Sequence, residues 1–273
     1  MNEQSQASAV ATTGRVVRAQ VAALVDSLRD VDAAQWDAPS ACTEWAIGDV
    51  AAHMAESNDR FLQIVEATLA DAAVPAFSPQ ERVARQAAVK AGGSAAVLAQ
   101  LQQRVGAVFD RLEGASPEQL ARTVQVPAGQ LSLAQVAGQR LSEVTLHCWD
   151  IRSARQRGAT LDPEGAALLL DSILANVPRL ANKEALGDRR ATYGLELSGP
   201  GGGPITLAIA DGAARASRGA TATADATLRL PVEAAIRLFW GRLDLERGIA
   251  EGLVAVQGDE TAVRSLAGVF RGV

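Results

Sequence analysis

Apolar side chains recur every three to four positions through most of the first 160 residues, and this periodicity constrains the chain more than any other feature. Between Arg15 and Val31 they fall at Val16, Val17, Val21, Leu24, Val25 and Leu28, one stripe of a helix. A loop through Trp36, Pro39 and Cys42 follows, and Ser40 or Thr43 can cap a second helix that runs to about Ala70. Pro75 and Pro79 then interrupt the chain. Ser78-Pro79-Gln80-Glu81 has the form of a third helix start, with Pro at its first position. That helix extends towards Glu113-Gly114, with Gly92-Gly93 as a kink or break. Ser116 to Leu131 is a connection containing a strand-like stretch from Thr123 to Pro127. Ser132-Leu133-Ala134-Gln135 has the pattern of a capping box and opens a fourth helix ending near Arg157-Gly158. Four helices with connections of this size predict an antiparallel bundle over residues 13–160. Residues 1–12 are polar apart from small side chains and are expected to be a disordered lead-in.

The remainder has a different grammar. Pro163 to Leu180 reads as a fifth helix, expected to link two domains across residues 161–184. Three strand-like pieces follow, at Thr192–Leu197, Ile205–Ile209 and Ala226–Leu230. The first two are joined by Ser198-Gly199-Pro200-Gly201-Gly202-Gly203-Pro204, a strong turn signal. Pro231 opens a helix through Trp240, Leu253 to Val256 reads as a last strand, and Glu260 to Phe270 as a closing helix. Residues 185–273 are therefore expected to form a small α+β domain after the α bundle.

Composition narrows the function. The chain has 273 residues, 48% of them apolar but only 4% aromatic, and alanine supplies about one residue in five. Such a mix favours helices packed through small side chains. A net charge of −5 argues against a nucleic-acid partner, which needs a basic face. Among 26 basic residues only Lys90 and Lys183 are lysines, a bias that GC-rich genomes produce. No 18-residue apolar run is present, so no membrane span is expected. The first residues lack the basic and apolar regions of a signal peptide. Cys42 and Cys148 are the two cysteines, too few for a disulfide framework, and a reducing cytoplasm is the expected compartment.

Two histidines are all the chain has, and both fall on expected helices. His147 comes four residues after Glu143, so the two share a helix face and can grip one ion together. His53 lies on the second helix, which can neighbour the fourth in a bundle. Two imidazoles and a carboxylate that leave a coordination position open form the donor set of a catalytic zinc. Inward-facing Glu and His residues are how helical bundles bind metals. Read by themselves, the residues leave a satisfied core histidine about as reasonable as a ligand.

A longer pattern, Trp36-x-x-Pro39-Ser40-x-Cys42-x-x-Trp45-x-x-x-Asp49-Val50-x-x-His53, followed by Glu143-x-x-x-His147-x-Trp149-Asp150-Ile151, resembles the DinB-type bundle of the mycothiol-dependent maleylpyruvate isomerase family. The resemblance covers the first ~160 residues, and the C-terminal part more weakly resembles a sterol-carrier-like domain. It implies a divalent metal, usually zinc, held by His53, Glu143 and His147, although nickel or iron would accept the same ligands. It also implies mycothiol as cosubstrate. Asp150, three residues after His147, can orient the second ring nitrogen or lie on the helix surface. Cys148 and Cys42 read as structural thiols, and Trp45 and Trp149 as packing beside the ligand helices. In the family an arginine of the C-terminal domain serves an acidic substrate, which points to Arg237 or Arg242, ahead of Arg60 and Arg82.

The expected function is thus a metal- and thiol-dependent enzyme. A thiolate would attack a small electrophilic substrate, as a cis–trans isomerase of the maleylpyruvate type or as an S-transferase. Two rivals remain at this point. One is a non-catalytic module with a structural metal, binding an apolar ligand or a protein. The other is a zinc hydrolase using activated water, with Asp49 or Glu56 as base. The expected assembly is a monomer or a homodimer.

Overall fold

The helical periodicity of the first half folds into long rods. The computed structural model describes residues 3–126, 129–266 and 268–270. Its first unit, ending at Ala159, contains α1 (Glu3–Leu28), α2 (Ala33–Trp36), α3 (Ile47–Leu69), α4 (Pro79–Ala91), α5 (Ser94–Glu113), α6 (Pro117–Leu120), β1 (Thr123–Val126), β2 (Gly129–Ser132) and α7 (Leu133–Arg155). α1 and α3 each pack against both α5 and α7, which makes these four the bundle. Its core is aliphatic: Val17, Val21, Leu24 and Leu28 of α1 and Leu101, Val105, Val108 and Leu112 of α5 are all buried, and the two helices pack on one another. Burying such side chains stabilises the unit by about 1.5–3 kcal/mol each.

Several helix starts follow from local chemistry. Ser78 Oγ accepts from the Glu81 N–H while the Glu81 carboxylate accepts from the Ser78 N–H, and Ser132 and Gln135 do the same at α7. Ala46, at the start of α3, has no side-chain acceptor. There Asp49 supplies the half that remains, its Oδ2 accepting from the Ala46 N–H at 3.0 Å.

The disorder expected over residues 1–12 is corrected, whereas the break at Gly92-Gly93 and the strand at Thr123 are found where expected. The lead-in is helical from Glu3 onward, because Val10 and Thr13 extend the buried stripe of α1 and an existing helix propagates readily through small residues; residues 1–2 lie outside the described residues. The expected third helix is two, α4 and α5, broken where Gly93 adopts φ +82°. The strand-like stretch at Thr123 pairs with β2 as an antiparallel hairpin, although its end at Pro127 lies outside the described residues.

The second unit begins at Thr160. It contains α8 (Pro163–Leu180), α9 (Lys183–Leu186), β3 (Ala191–Ser198), β4 (Gly203–Ala210), β5 (Ala213–Arg218), β6 (Ala226–Pro231), α10 (Val232–Phe239), α11 (Leu245–Ala250), β7 (Ala255–Gly258) and α12 (Glu260–Ser265). The sheet order is β5-β4-β3-β6-β7, with β3 and β6 parallel and the other pairs antiparallel. Alternation in β3 and β4 buries Tyr193, Leu195 and Leu197 with Ile205, Leu207 and Ile209. Glycine is required in the turn between them, where a Cβ at Gly202 would stand 2.4 Å from the Leu197 carbonyl oxygen.

α8, expected as a linker, packs on β5 and α10 and so belongs to this unit; Leu169, Leu170, Ile173 and Val177 need that apolar surface. β5 was not foreseen, since Ala-Ala-Arg-Ala-Ser-Arg carries no β-branched residue and is held by its pairing with β4. The closing helix stops at Ser265, short of Phe270. Phe270 instead bridges to Ala181 and sets its ring edge-on to Phe239, centroids 5.2 Å apart; Ala267 lies outside the described residues. No helix among the described residues is long and apolar enough to cross a membrane.

Candidate metal centre

Packing of α3 against α7 brings the two histidines together. The Nε2 of His53 lies 2.6 Å from Oε1 of Glu143, and the Nε2 of His147 lies 3.6 Å from the same oxygen. The imidazoles meet edge to face with centroids 5.1 Å apart. One ligand atom from each of the three side chains lies within 4.8 Å of the others. Side-chain exposures of 22%, 23% and 13% for His53, Glu143 and His147 leave the cluster reachable from solvent.

The surroundings orient these donors. Asp150 is fully buried, and its Oδ2 accepts from His147 Nδ1 at 2.9 Å. That bond turns Nε2 towards Glu143, the arrangement expected behind a metal-bound imidazole. Of the two sequence readings of Asp150, the orienting one holds. Burial pushes the His147 pKa down, but hydrogen bonds to Asp150 and Glu143 outweigh it and raise the value to about 9. Burial pushes the Glu143 carboxyl up, yet hydrogen bonds from His147 and His53 and the charge on Arg140 hold it well below the usual carboxylate range. Two nitrogens and an ionised oxygen, converging from two helices, are a donor set that suits zinc.

Arg140, one turn before Glu143, was missed by sequence reasoning. It is 1% exposed. Nη1 donates to Ser57 Oγ at 2.8 Å, and Nη2 lies 3.8 Å from Oε2 of Glu143. Its guanidinium stands 3.8 Å from the centroid of Phe61. Burial lowers its pKa to about 10, with the neighbouring Arg60 adding to the effect and Glu143 opposing it. The signal was a charged residue three positions from Glu143 on the same helix, and so on the same inward face.

Trp45, on the loop entering α3, lies over the cluster. Its ring centroid is 4.8 Å from that of His53 and 6.3 Å from that of His147, nearly parallel to the latter. The Ala41 N–H donates to the Asp150 carbonyl at 3.1 Å and ties this loop to α7. Cys42, read as a structural thiol, thereby reaches a second donor group with His147 and Asp150. The set with His53 uses the His147 nitrogen not already bonded to Asp150. Cys148 is buried. Trp149 donates its indole N–H to the Ala159 carbonyl at 2.8 Å, so it packs and does not face the donors.

The remaining sequence candidates have other partners. Asp49 accepts from Ala46 and pairs with Lys90 at 2.8 Å. Glu56 is 2% exposed and holds Arg60 and Arg85. Neither is placed as a free base for water. Arg60 is thus a structural partner of Glu56, and Arg82 lies at the start of α4, half-buried. In the second unit Arg237 is buried and bidentate to Glu233, at 2.8 and 2.7 Å. Arg242 donates to the Trp240 carbonyl.

These features define a class, a four-helix bundle with an inward His–His–Glu set, followed in the same chain by a small α+β domain. Residues 17–152 match the mycothiol maleylpyruvate isomerase N-terminal domain, and residues 170–271 match the SCP-2 sterol transfer family. Two crystal structures of the mycothiol-dependent maleylpyruvate isomerase share the fold with a TM-score of 0.63. A mutant form is 15% identical over 94% of this chain and 93% of that one. The other is 16% identical over 89% and 90% respectively. Uncharacterized proteins from two strains of Mycobacterium tuberculosis are 27% identical over 174 residues, spanning 64% of this chain and 75% of theirs.

Proposed function

We propose that the protein is a metal- and mycothiol-dependent enzyme acting on a small electrophile, either as a cis–trans isomerase of the maleylpyruvate type or as an S-transferase. The observation that carries this reading is the convergence of His53 Nε2, His147 Nε2 and Glu143 Oε1 at a point open to solvent. Zinc is the preferred ion for two imidazoles and a carboxylate. When bound there it would supply the positive charge that keeps a thiol deprotonated and nucleophilic at neutral pH.

The chain's own residues then have separable tasks. His53, Glu143 and His147 hold the ion. Asp150 keeps the His147 proton on Nδ1, which frees Nε2 for coordination. Arg140 stands at the second carboxylate oxygen of Glu143 and holds the first one towards the imidazoles. The Trp45 indole covers the imidazoles and limits water on that side. Arg237 or Arg242 would be the cation for an acidic substrate. The reaction class is addition of the thiol sulfur to an activated double bond, rotation about the bond made single, and departure of the same sulfur. Without that departure, or with loss of a leaving group, the product is an S-conjugate.

The test is turnover by the zinc-loaded protein with mycothiol, offered maleylpyruvate in one assay and a haloalkyl electrophile in another. Thiol-dependent isomerisation or thiol-dependent conjugation, absent in His53→Ala, supports the reading and decides between its two branches. No thiol-dependent reaction with either substrate class, from protein that holds one zinc, overturns it.

A further inference from the structure

α4 is a 13-residue helix without one buried residue. Val83 on it is 68% exposed, the most exposed large apolar side chain among the described residues. Ordering a helix that buries so little gains almost nothing by itself. Its face carrying Val83, Gln86, Ala87 and Lys90 does line something, a cavity of about 650 Å³ shared with Trp36 and Trp45. That volume suits a small-molecule ligand.

The walls of this cavity are fixed. Trp36 is pressed onto α3 at Gly48, where a Cβ would stand 2.4 Å from the indole Nε1, so only glycine admits the ring there. Trp45 is the same indole that lies over His53 and His147. The cavity and the metal centre therefore share a wall. The polar part of the lining is charged as well as hydrogen-bonding. The Lys90 ammonium lies 2.8 Å from Asp49 and 3.4 Å from Asp37, and Gln86 donates to the Asp49 carbonyl at 3.2 Å. A wholly apolar ligand would strip water from these groups without replacing its hydrogen bonds. A ligand with flat C–H faces and many hydroxyls satisfies both parts, stacking on indoles and bonding to the ammonium, carboxylates and amide.

We propose that this cavity receives the polyhydroxylated, sugar-like body of the thiol cosubstrate while its sulfur reaches the donors beside Trp45. The inference rests on the thiol-dependent reading above and deepens it, because it assigns selection among thiols to α4 and the two indoles. Coordination of sulfur then needs the metal ligands, and preference for a sugar-bearing thiol needs the cavity.

The experiment uses the full chain loaded with Co²⁺ and follows the thiolate-to-cobalt absorption band during titration with mycothiol or with N-acetylcysteine, which lacks the sugar body. The wild-type protein is expected to bind mycothiol at least about tenfold more tightly, the yield of one or two good hydrogen bonds. Ala87→Trp fills the cavity from an exposed helix position. It is expected to abolish that preference while leaving cobalt content and N-acetylcysteine binding unchanged. Lys90→Met leaves the cavity open and is expected to weaken mycothiol alone, by several-fold. Bands with both thiols but unchanged mycothiol affinity in both variants overturn the cavity assignment and leave the thiol-on-metal reading standing. No band with either thiol overturns that reading itself, and the cavity assignment with it.

Discussion

The interiors of the two units differ in kind. Among the described residues the bundle buries ten polar or charged side chains, including Glu56, Arg60, Arg140 and Asp150, whereas the α+β unit buries two, Glu233 and Arg237, which pair with each other. A buried polar group costs free energy unless partnered, and a buried charge costs more. The α+β unit keeps that cost small and self-contained. The bundle spreads it along α3 and α7 and ends it at an open carboxylate–imidazole cluster. Where a line of buried polar groups leads to a solvent-reachable carboxylate–imidazole cluster, chemistry is the economical explanation.

That contrast can be broken most sharply at the donors. His53→Ala and His147→Ala are each expected to abolish tight zinc binding, measured as metal content after dialysis, because the chain has no other histidine to substitute. Retention of one zinc in both variants would remove the site assignment. In the α+β unit the matching change is Glu233→Ala, which removes the bidentate carboxylate partner of the buried Arg237 guanidinium. A loss of about 3–5 kcal/mol of stability is expected in denaturant unfolding, with zinc affinity untouched. A fall in zinc affinity in that variant would mean that the two interiors are energetically coupled.

Protonation offers a third test. In the zinc-free protein the His147 pKa is raised from 6.5 to about 9, so the proton is held more tightly folded than unfolded. The stability this gives is complete below about pH 6.5 and is lost as pH rises through about 9, on the order of 3 kcal/mol. Zinc must displace that proton, so its affinity is expected to climb about tenfold per pH unit up to about pH 9. Isothermal titration at several pH values measures it, and a flat profile would show that His147 is not a ligand.

Arg140→Met keeps the volume and removes the charge. It is expected to lower zinc affinity by about 10–100-fold, as loss of a supporting residue behind a ligand does, measured by competition with a chelator. The smallest effect belongs to the surface. Arg229 and Glu196 are half exposed, and Glu196→Ala is expected to cost less than about 1 kcal/mol.

Much of this was legible in the sequence. The stripes of α1, α3 and α5 announce helices because burial repeats at the helical period, the Ser132–Gln135 capping box announces α7, and Glu143 and His147 share a face by spacing alone. The glycine turn between β3 and β4 is similarly local, since those positions exclude a side chain. Other features were not local. Whether residues 3–12 are helical depends on surface for Val10 to bury against, and β5 exists because β4 offers it a ladder. Asp150 could have been a surface carboxylate, and only the packing of α7 made it the buried partner of His147.

The sequence by itself determined the helices, the scarcity of histidine and one helix's share of the donor set, because each depends on spacing along a single backbone. Tertiary structure decided the rest. It set His53 against Glu143 across 90 positions of sequence, enclosed Arg140 behind the carboxylate and placed Trp45 over both imidazoles. Convergence of side chains from separate helices is a property of packing, and no periodicity within one segment encodes which neighbour it will meet.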